Sequence, residues 1–218
     1  MEWQTAKAEF SLPFTYRLTE SKGNGLVIVM HGFQDRTQSV LKRLGWEDLD
    51  TLPFQTLAIN GPFPMPLWKA DGFKEAYAWY FRDSDRDFTV VAPQTTAVRL
   101  SELFDRLKLT STSKVFLGFS QGGYLAPYVA AQTQNTKAII GMSCGYSREA
   151  YCLLKPPLAV YGIHAVNDQV VSFERSKADH AAILASGFEG QFHSFEQVGH
   201  RVSSEFEPLI RRLIMESL

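Results

Sequence analysis

Cysteine, long hydrophobic runs and an excess of charge of one sign are all scarce in this sequence. Only two cysteines, Cys144 and Cys152, occur among the 218 residues, too few for a disulfide framework or a cysteine-based zinc site. No apolar run approaches the ~18 residues that a membrane-spanning helix needs. The 22 basic residues are balanced by 23 acidic ones. This balance argues against a nucleic-acid-binding surface, which needs a basic face.

The first residues of the chain also lack a targeting signal. Residues 1–5, MEWQT, have neither a basic region nor an apolar stretch of the kind found in secretory signal peptides. There is no internal repeat, low-complexity tract or linker-like stretch. Disorder is excluded by 16 Phe, 8 Tyr and 4 Trp residues spread along the sequence. We therefore expect a cytoplasmic protein in which residues 1–218 form one domain.

What the sequence does contain is a series of short apolar runs separated by amphipathic helical patterns. Strands are predicted at Thr15–Thr19, Gly25–Met30, Gln55–Ile59, Lys114–Leu117, Ala138–Met142, Leu158–Ile163 and Gln191–Phe195. Helical stripes cover 100–107, 124–129, Phe173–Ala185 and 202–214. Unbroken apolar runs are typical of parallel strands buried on both faces, whereas the alternating first run predicts an antiparallel edge strand. The alternation of strands and helices predicts an α/β fold, with helices on both faces of a mostly parallel sheet.

Residues 118–122, GFSQG, fit the G-x-S-x-G pattern of a nucleophile elbow. A predicted strand precedes the pattern and a helical stripe follows it, which is the context that an elbow requires. In so sharp a turn, side chains larger than hydrogen at Gly118 and Gly122 would collide. Ser120 is therefore the candidate nucleophile. The alternative is a glycine-serine loop in which Ser120 only caps a helix.

A serine hydroxyl is a weak nucleophile and needs a histidine base placed later in the chain. His200 lies in a predicted loop between a strand and the last helix, at the catalytic edge of such a sheet. It is preferred to His193, which falls within a predicted strand. The alternative role for His200 is that of a residue capping the following helix.

The base in turn needs an acid to orient it. Asp168 follows the Leu158–Ile163 strand and is preferred to Glu174 and Asp179, which fall within a predicted helix. Asp168 should accept a hydrogen bond from Nδ1–H of His200 and stabilise the imidazolium. Alternatively, Asp168 is the N-cap of the helix that follows.

Two backbone N–H groups are expected to form an oxyanion hole. One belongs to Gln121, which follows the nucleophile, and the other to Phe33, in the loop after an early strand. Gly32 lets that loop turn so that the Phe33 N–H faces the reacting carbonyl. His31 precedes the serine in the chain, so we interpret it as a structural residue whose ring fixes the loop.

Together these segments resemble the carboxylesterase/phospholipase family of the α/β-hydrolase superfamily, the acyl-protein thioesterase-like serine esterases. The matching motifs are LVIVMHGFQD, LGFSQGG, GIHAVNDQVV and VGH, spread over most of the chain. The resemblance implies an α/β-hydrolase fold without a large cap domain. It also implies a triad of Ser120, Asp168 and His200, with Phe33 and Gln121 as oxyanion donors.

Aromatic residues are concentrated in Asn60–Pro93, a segment that follows a strand and so leaves the sheet at the catalytic edge. Phe63, Trp68 and Trp79 in this segment are expected to line a substrate pocket together with Tyr146. The alternative for each is ordinary packing against the body of the protein.

The function predicted is hydrolysis of carboxylic esters with short to medium acyl chains, through an acyl-enzyme intermediate. Short chains are expected because residues 143–157 leave no room for the lid that larger lipases carry there. The alternatives are a thioesterase or lysophospholipase with the same triad, and a catalytically inactive hydrolase-fold binding protein.

The expected partner is a small-molecule ester or thioester. No cofactor is expected, and no metal either, because His164, Asp168 and His200 have no third His or Cys at ligand spacing. The oligomeric state stays open, a homodimer included.

Overall fold

A computed structural model describes residues 13–23, 25–70, 72–83 and 88–218 of the chain. The residues on which the signal-peptide expectation rests, 1–5, lie outside this part. Within the described part, no helix has the length and apolar character needed to cross a membrane.

Seven strands form one central sheet. They are β1 (Tyr16–Leu18), β2 (Leu26–Met30), β3 (Gln55–Ile59), β4 (Lys114–Phe119), β5 (Thr136–Met142), β6 (Ala159–Ala165) and β7 (Phe192–Phe195). Their order across the sheet is β1-β3-β2-β4-β5-β6-β7. β1 pairs with β3 in the antiparallel sense, and every other pairing is parallel. All seven predicted strands are confirmed, including the antiparallel edge strand.

Helices follow the strands. They are α1 (Thr37–Leu44), α2 (Pro93–Arg106), α3 (Gln121–Ala130), α4 (Arg148–Tyr151), α5 (Phe173–Ala185) and α6 (Glu207–Ser217). Single 3-10 turns lie at Leu49–Thr51 and Ser204–Phe206. The predicted stripes correspond to α2, α3, α5 and α6, whereas α1 and α4 were not predicted.

The core is divided by the sheet into two clusters, because successive side chains of a strand point to opposite faces. In β2, Val27 and Val29 belong to the cluster that contains Leu41 of α1 and Ile210 of α6. Ile28 and Met30 belong to the cluster that contains residues of α2 and α3. The chain therefore has helices on both faces of the sheet, which confirms the predicted fold class.

Among the described residues, the aromatic segment between β3 and α2 forms three short pairs of antiparallel strands, which we call the hairpins. Their strands are Phe63–Pro64 with Tyr77–Ala78, Leu67–Lys69 with Gly72–Lys74, and Phe81–Asp83 with Phe88–Val91. None of these strands was predicted. The hairpins leave the sheet at the carboxyl end of β3, which is the same edge at which β4 and β6 end, since these strands are parallel.

Candidate active site

Ser120 lies in a very sharp turn between β4 and α3. Its backbone adopts φ 48° and ψ −116°, a conformation that residues other than glycine rarely adopt. A Cβ atom at Gly118 would lie 2.5 Å from the carbonyl carbon of Gly122, and one at Gly122 would lie 2.7 Å from the His31 oxygen. The predicted collisions at both glycines are therefore confirmed, and the turn holds Ser120 at the end of the strand.

Three side chains from separate segments meet at this turn. The Nε2 atom of His200 lies 3.1 Å from Oγ of Ser120. Nδ1 of the same ring lies 2.8 Å from Oδ2 and 3.1 Å from Oδ1 of Asp168. The ring of Phe119 packs against the His200 ring, with 5.1 Å between centroids. The structure thus brings together the serine, the histidine and the aspartate that sequence reasoning selected.

The two other candidate acids lie elsewhere. Asp179 is on α5 and its Oδ2 atom lies 3.7 Å from Nε of Arg175. Glu174 is exposed on the same helix. The other candidate base, His193, is paired within the sheet opposite Ile163.

The Asp168 carboxylate is ionised in this environment. Burial alone would raise its pKa, but hydrogen bonds from the Val171 N–H, from His200 and from the Val170 N–H outweigh burial and hold the pKa below its ordinary value. Both backbone bonds reach Oδ1 at 2.9 Å. An ionised carboxylate only accepts hydrogen bonds, so Nδ1 of His200 carries the proton. Nε2 of the neutral ring is then free to accept the proton of the Ser120 hydroxyl.

A second histidine contacts the same carboxylate. Nε2 of His164 lies 3.2 Å from Oδ2 of Asp168 and 3.1 Å from the carbonyl oxygen of Val171. Both neighbours are acceptors, so Nε2 carries the hydrogen. Burial lowers the pKa of His164 below its ordinary value, which keeps the ring neutral. Sequence reasoning considered His164 only as a metal ligand and missed this contact.

The loop after β2 runs directly against the elbow. A Cβ atom at Gly32 would lie 2.9 Å from the Phe119 ring and 3.3 Å from Cβ of Ser120, so only glycine fits there. The N–H of Gly122 donates to the carbonyl oxygen of His31 at 3.1 Å. Phe33 directly follows Gly32 and Gln121 directly precedes Gly122, so the Phe33 and Gln121 amides lie on two segments that are hydrogen-bonded to each other.

His31 is fully buried and fixes this loop through its ring. Its Nε2 atom accepts the Gly61 N–H at 2.9 Å. Nδ1 must therefore carry the hydrogen, and it lies 2.6 Å from the Gly32 carbonyl oxygen. Burial lowers the pKa of His31 to about 4, so the ring is neutral near pH 7. The interpretation of His31 as a structural residue is confirmed.

Two of the four expected pocket residues are buried inside the protein. Trp79 has no exposed surface, and its ring stacks on His31 with 4.8 Å between centroids. Tyr146 is buried beneath the sheet, where its ring meets His180 edge to face. A side chain in such a position packs against its neighbours and does not form an open wall. The expectation of a pocket wall is corrected for both residues.

The other two lie on the hairpins. Phe63 packs on Phe81 at 5.3 Å between centroids, and Phe81 packs edge to face on Phe33 at 6.4 Å. Phe63 is thus connected to the loop next to Ser120 through a row of three rings. Trp68 is 80% exposed and contacts Phe73 across its own hairpin.

A metal site is not found among the described residues, where no group of three His, Cys, Asp or Glu side chains is arranged to hold an ion. A shallow depression beside the acid is lined by Val166, Asp168, Gln169, Val170, Ser172, Phe173 and Glu174. A separate cavity of about 330 Å³ lies at the β1 edge of the sheet, between β1 and α1.

Comparison with known proteins identifies a family and a related protein. A family described as phospholipase/carboxylesterase matches residues 18–214. Acyl-protein thioesterase 1 homolog 1 of Dictyostelium discoideum is 26% identical over 215 residues, which cover 94% of this chain and 89% of that protein.

Similar folds are found among solved structures. Esterase PE8 superimposes with a TM-score of 0.72 at 22% identity, covering 94% of this chain and 99% of that one. Acyl-protein thioesterase 2 of Zea mays has a TM-score of 0.68 at 19% identity, covering 93% of this chain and 98% of that one. At these identities the likeness establishes the α/β-hydrolase fold.

Proposed function

The chain belongs to the phospholipase/carboxylesterase family of α/β-hydrolases, and from that premise we propose that it is a serine esterase with Ser120, His200 and Asp168 as its catalytic triad. The observation that carries the proposal is the continuous series of hydrogen bonds from Ser120 Oγ through the His200 ring to Asp168. Each bond has the direction that proton transfer from the serine requires.

In the proposed mechanism, Oγ of Ser120 attacks the carbonyl carbon of the ester while its proton moves to Nε2 of His200. The carbonyl oxygen becomes an oxyanion that the backbone N–H groups of Phe33 and Gln121 stabilise. Gln121 is the first residue of α3, so its N–H lies at the positive end of the helix dipole. Removing one oxyanion donor typically lowers kcat by about 10²- to 10³-fold.

The intermediate then collapses. The bond from the carbonyl carbon to the leaving oxygen breaks, and the leaving alcohol takes the proton from His200. A water molecule, deprotonated by the same ring, attacks the acyl-enzyme, and the carboxylic acid is released with Ser120 restored. Asp168 keeps the ring in the correct tautomer and stabilises the imidazolium in both steps.

A thioester is the second substrate class that we propose. The support is the relative from Dictyostelium discoideum, whose name describes an acyl-protein thioesterase. The triad accommodates both chemistries, because a thiolate is a better leaving group than an alkoxide and needs no additional residue. The acyl group in either class is proposed to lie along the Phe33–Phe81–Phe63 row and to be short to medium in length.

The test compares an oxygen ester, a thioester and an amide that share one acyl group, over a series of acyl lengths. Wild-type protein should hydrolyse the esters and become covalently labelled by a fluorophosphonate, and Ser120→Ala should do neither. Wild-type protein that is neither active nor labelled would instead indicate a hydrolase-fold binding protein. A larger kcat/KM for the thioester than for the oxygen ester would assign the second class.

A further inference from the structure

Trp79 is hydrogen-bonded to both segments that carry the proposed oxyanion donors. Its indole Nε1–H donates to the carbonyl oxygen of His31 at 2.8 Å. Its backbone N–H donates to Oε1 of the Gln121 side chain at 2.9 Å. One residue of the aromatic segment thus bonds to the loop that precedes Phe33 and to the first residue of α3.

These bonds close a ring of contacts around the elbow. The His31 carbonyl oxygen that accepts the indole hydrogen also accepts the Gly122 N–H at 3.1 Å. The Gln121 side chain returns a bond from Nε2 to the carbonyl oxygen of Tyr80 at 2.9 Å. The stacked rings of His31 and Trp79 fill the space between the segments, with an interplanar angle of 28°. We call this set of contacts the Trp79 clamp.

The Trp79 clamp is shielded from water, since His31 and Trp79 have no exposed surface and the Gln121 side chain is buried. Leaving a buried polar group without its hydrogen-bond partner costs free energy, so these bonds hold the groups in place. An oxyanion hole depends on such resistance, because its donors must already lie about 2.7–3.1 Å from the position that the oxyanion will occupy.

We propose that Trp79 is a positioning residue for the oxyanion hole, one that fixes the Phe33 and Gln121 amides relative to each other. The inference rests on the proposed function, since it assigns those two amides to the reacting oxygen. Trp79 does not touch the substrate, because it is fully buried. Its effect is exerted through the His31 carbonyl and the Gln121 side chain.

The variant that tests this is Trp79→Phe, which keeps a stacking ring but loses the indole N–H and the five-membered ring that carries it. Trp46→Phe is a matched control. Trp46 is also buried, and its Nε1–H donates to Oε1 of Glu207 at 2.9 Å, on the opposite face of the sheet from Trp79. Both variants remove one indole hydrogen bond from a buried tryptophan, but only the bond of Trp79 belongs to the Trp79 clamp.

We expect Trp79→Phe to lower kcat about 10- to 100-fold with little change in KM, because a small misplacement of catalytic groups has effects of that order. Affinity for a boronic acid that mimics the tetrahedral intermediate should fall by the same factor. The fall of activity at acidic pH that a histidine base produces should stay in place, since the Trp79 clamp includes neither His200 nor Asp168. Trp46→Phe should keep wild-type kcat and boronate affinity even if it unfolds at a lower temperature.

Wild-type kcat in Trp79→Phe, or a loss no larger than that in Trp46→Phe, would overturn the inference while the esterase proposal stands. If Trp79→Phe does not fold, Gln121→Met decides. This variant removes the side-chain amide that bonds to Trp79 and Tyr80, but it keeps the backbone N–H at position 121. A fall in kcat and boronate affinity supports the inference in that variant, and wild-type values refute it. A wild-type protein without hydrolysis or fluorophosphonate labelling would overturn the proposed function itself.

Discussion

Nε2 of His164 lies 3.2 Å from Oδ2 of Asp168, the same oxygen that accepts the 2.8 Å hydrogen bond from His200. Two histidines therefore share one carboxylate oxygen. The Asp168 side chain has no exposed surface, so water does not compete for this oxygen. The His164 hydrogen limits where the carboxylate can rotate and so contributes to the orientation of the His200 ring.

Removing that donor should impair hydrolysis. We expect His164→Phe to lower kcat/KM by about tenfold, the equivalent of one hydrogen bond to a charged group. His164→Gln should recover most of the loss, because its amide can donate to the same oxygen. His180→Phe provides the control. His180 is equally buried, and its Nε2 atom lies 2.9 Å from the carbonyl oxygen of Val160. Wild-type kcat/KM in His164→Phe, or an equal loss in His180→Phe, would contradict the prediction.

The strained backbone at Ser120 predicts a difference between two inactive variants. Ser120→Ala and Ser120→Gly both remove the nucleophile, so both should lack ester hydrolysis. Glycine adopts positive φ without strain, whereas alanine keeps a Cβ atom. Ser120→Gly should therefore be more stable than Ser120→Ala by about 1 kcal/mol in urea unfolding. Near-wild-type activity in either variant would refute the assignment of the nucleophile.

The choice of acid is tested by two matched amides. Asp168→Asn should favour the wrong tautomer of His200 and lower kcat by about 10⁴-fold. Asp179→Asn removes a carboxylate whose contact is with Arg175, and kcat should be unchanged. Steady-state kinetics on one ester measures both. A larger loss in Asp179→Asn would assign the acid to α5.

The buried ring of His31 makes folding stability depend on pH. Its pKa is lowered from 6.5 to about 4 in the folded protein, so between these values the unfolded chain binds a proton that the folded chain does not. The free energy of unfolding is therefore not reduced by this ring above pH 6.5, and it falls as the pH decreases from 6.5 to about 4. The fall amounts to roughly 3 kcal/mol for this one residue.

Urea unfolding at the two ends of that window measures the effect. His31→Gln can still donate to Gly32 and accept from Gly61, but it does not titrate. Because burial also lowers the pKa of His164 and His180, the variant should retain part of the pH dependence. An unchanged pH dependence in His31→Gln would show that the ring is not the source.

The strands and the triad positions could be predicted because both depend on local patterns. Each strand has an apolar or alternating pattern of its own, and Ser120, Asp168 and His200 each follow a strand. α1 could not be predicted with equal ease, because it has only eight residues.

The contacts around the site depend on tertiary packing, which local pattern does not record. Trp68 and Trp79 are eleven positions apart in one aromatic segment. Yet the first is 80% exposed and the second is fully buried. Which tryptophan is buried is decided by His31 and Gln121, and these lie on segments distant in the chain. The His164 contact with Asp168 was missed for the same reason, since it depends on how the loop after β6 folds back.

The 80-residue separation between Ser120 and His200 has a consequence for biosynthesis. Contacts between distant parts of a chain form slowly, because closing a long loop costs conformational entropy. During translation Ser120 and Asp168 emerge before the loop after β7, so a nascent chain has the serine and the aspartate but not yet the histidine base. On the proposed mechanism, such a chain cannot yet hydrolyse an ester. Hydrolytic activity would appear only once the final strand has docked, and its recovery during refolding would report completion of the sheet.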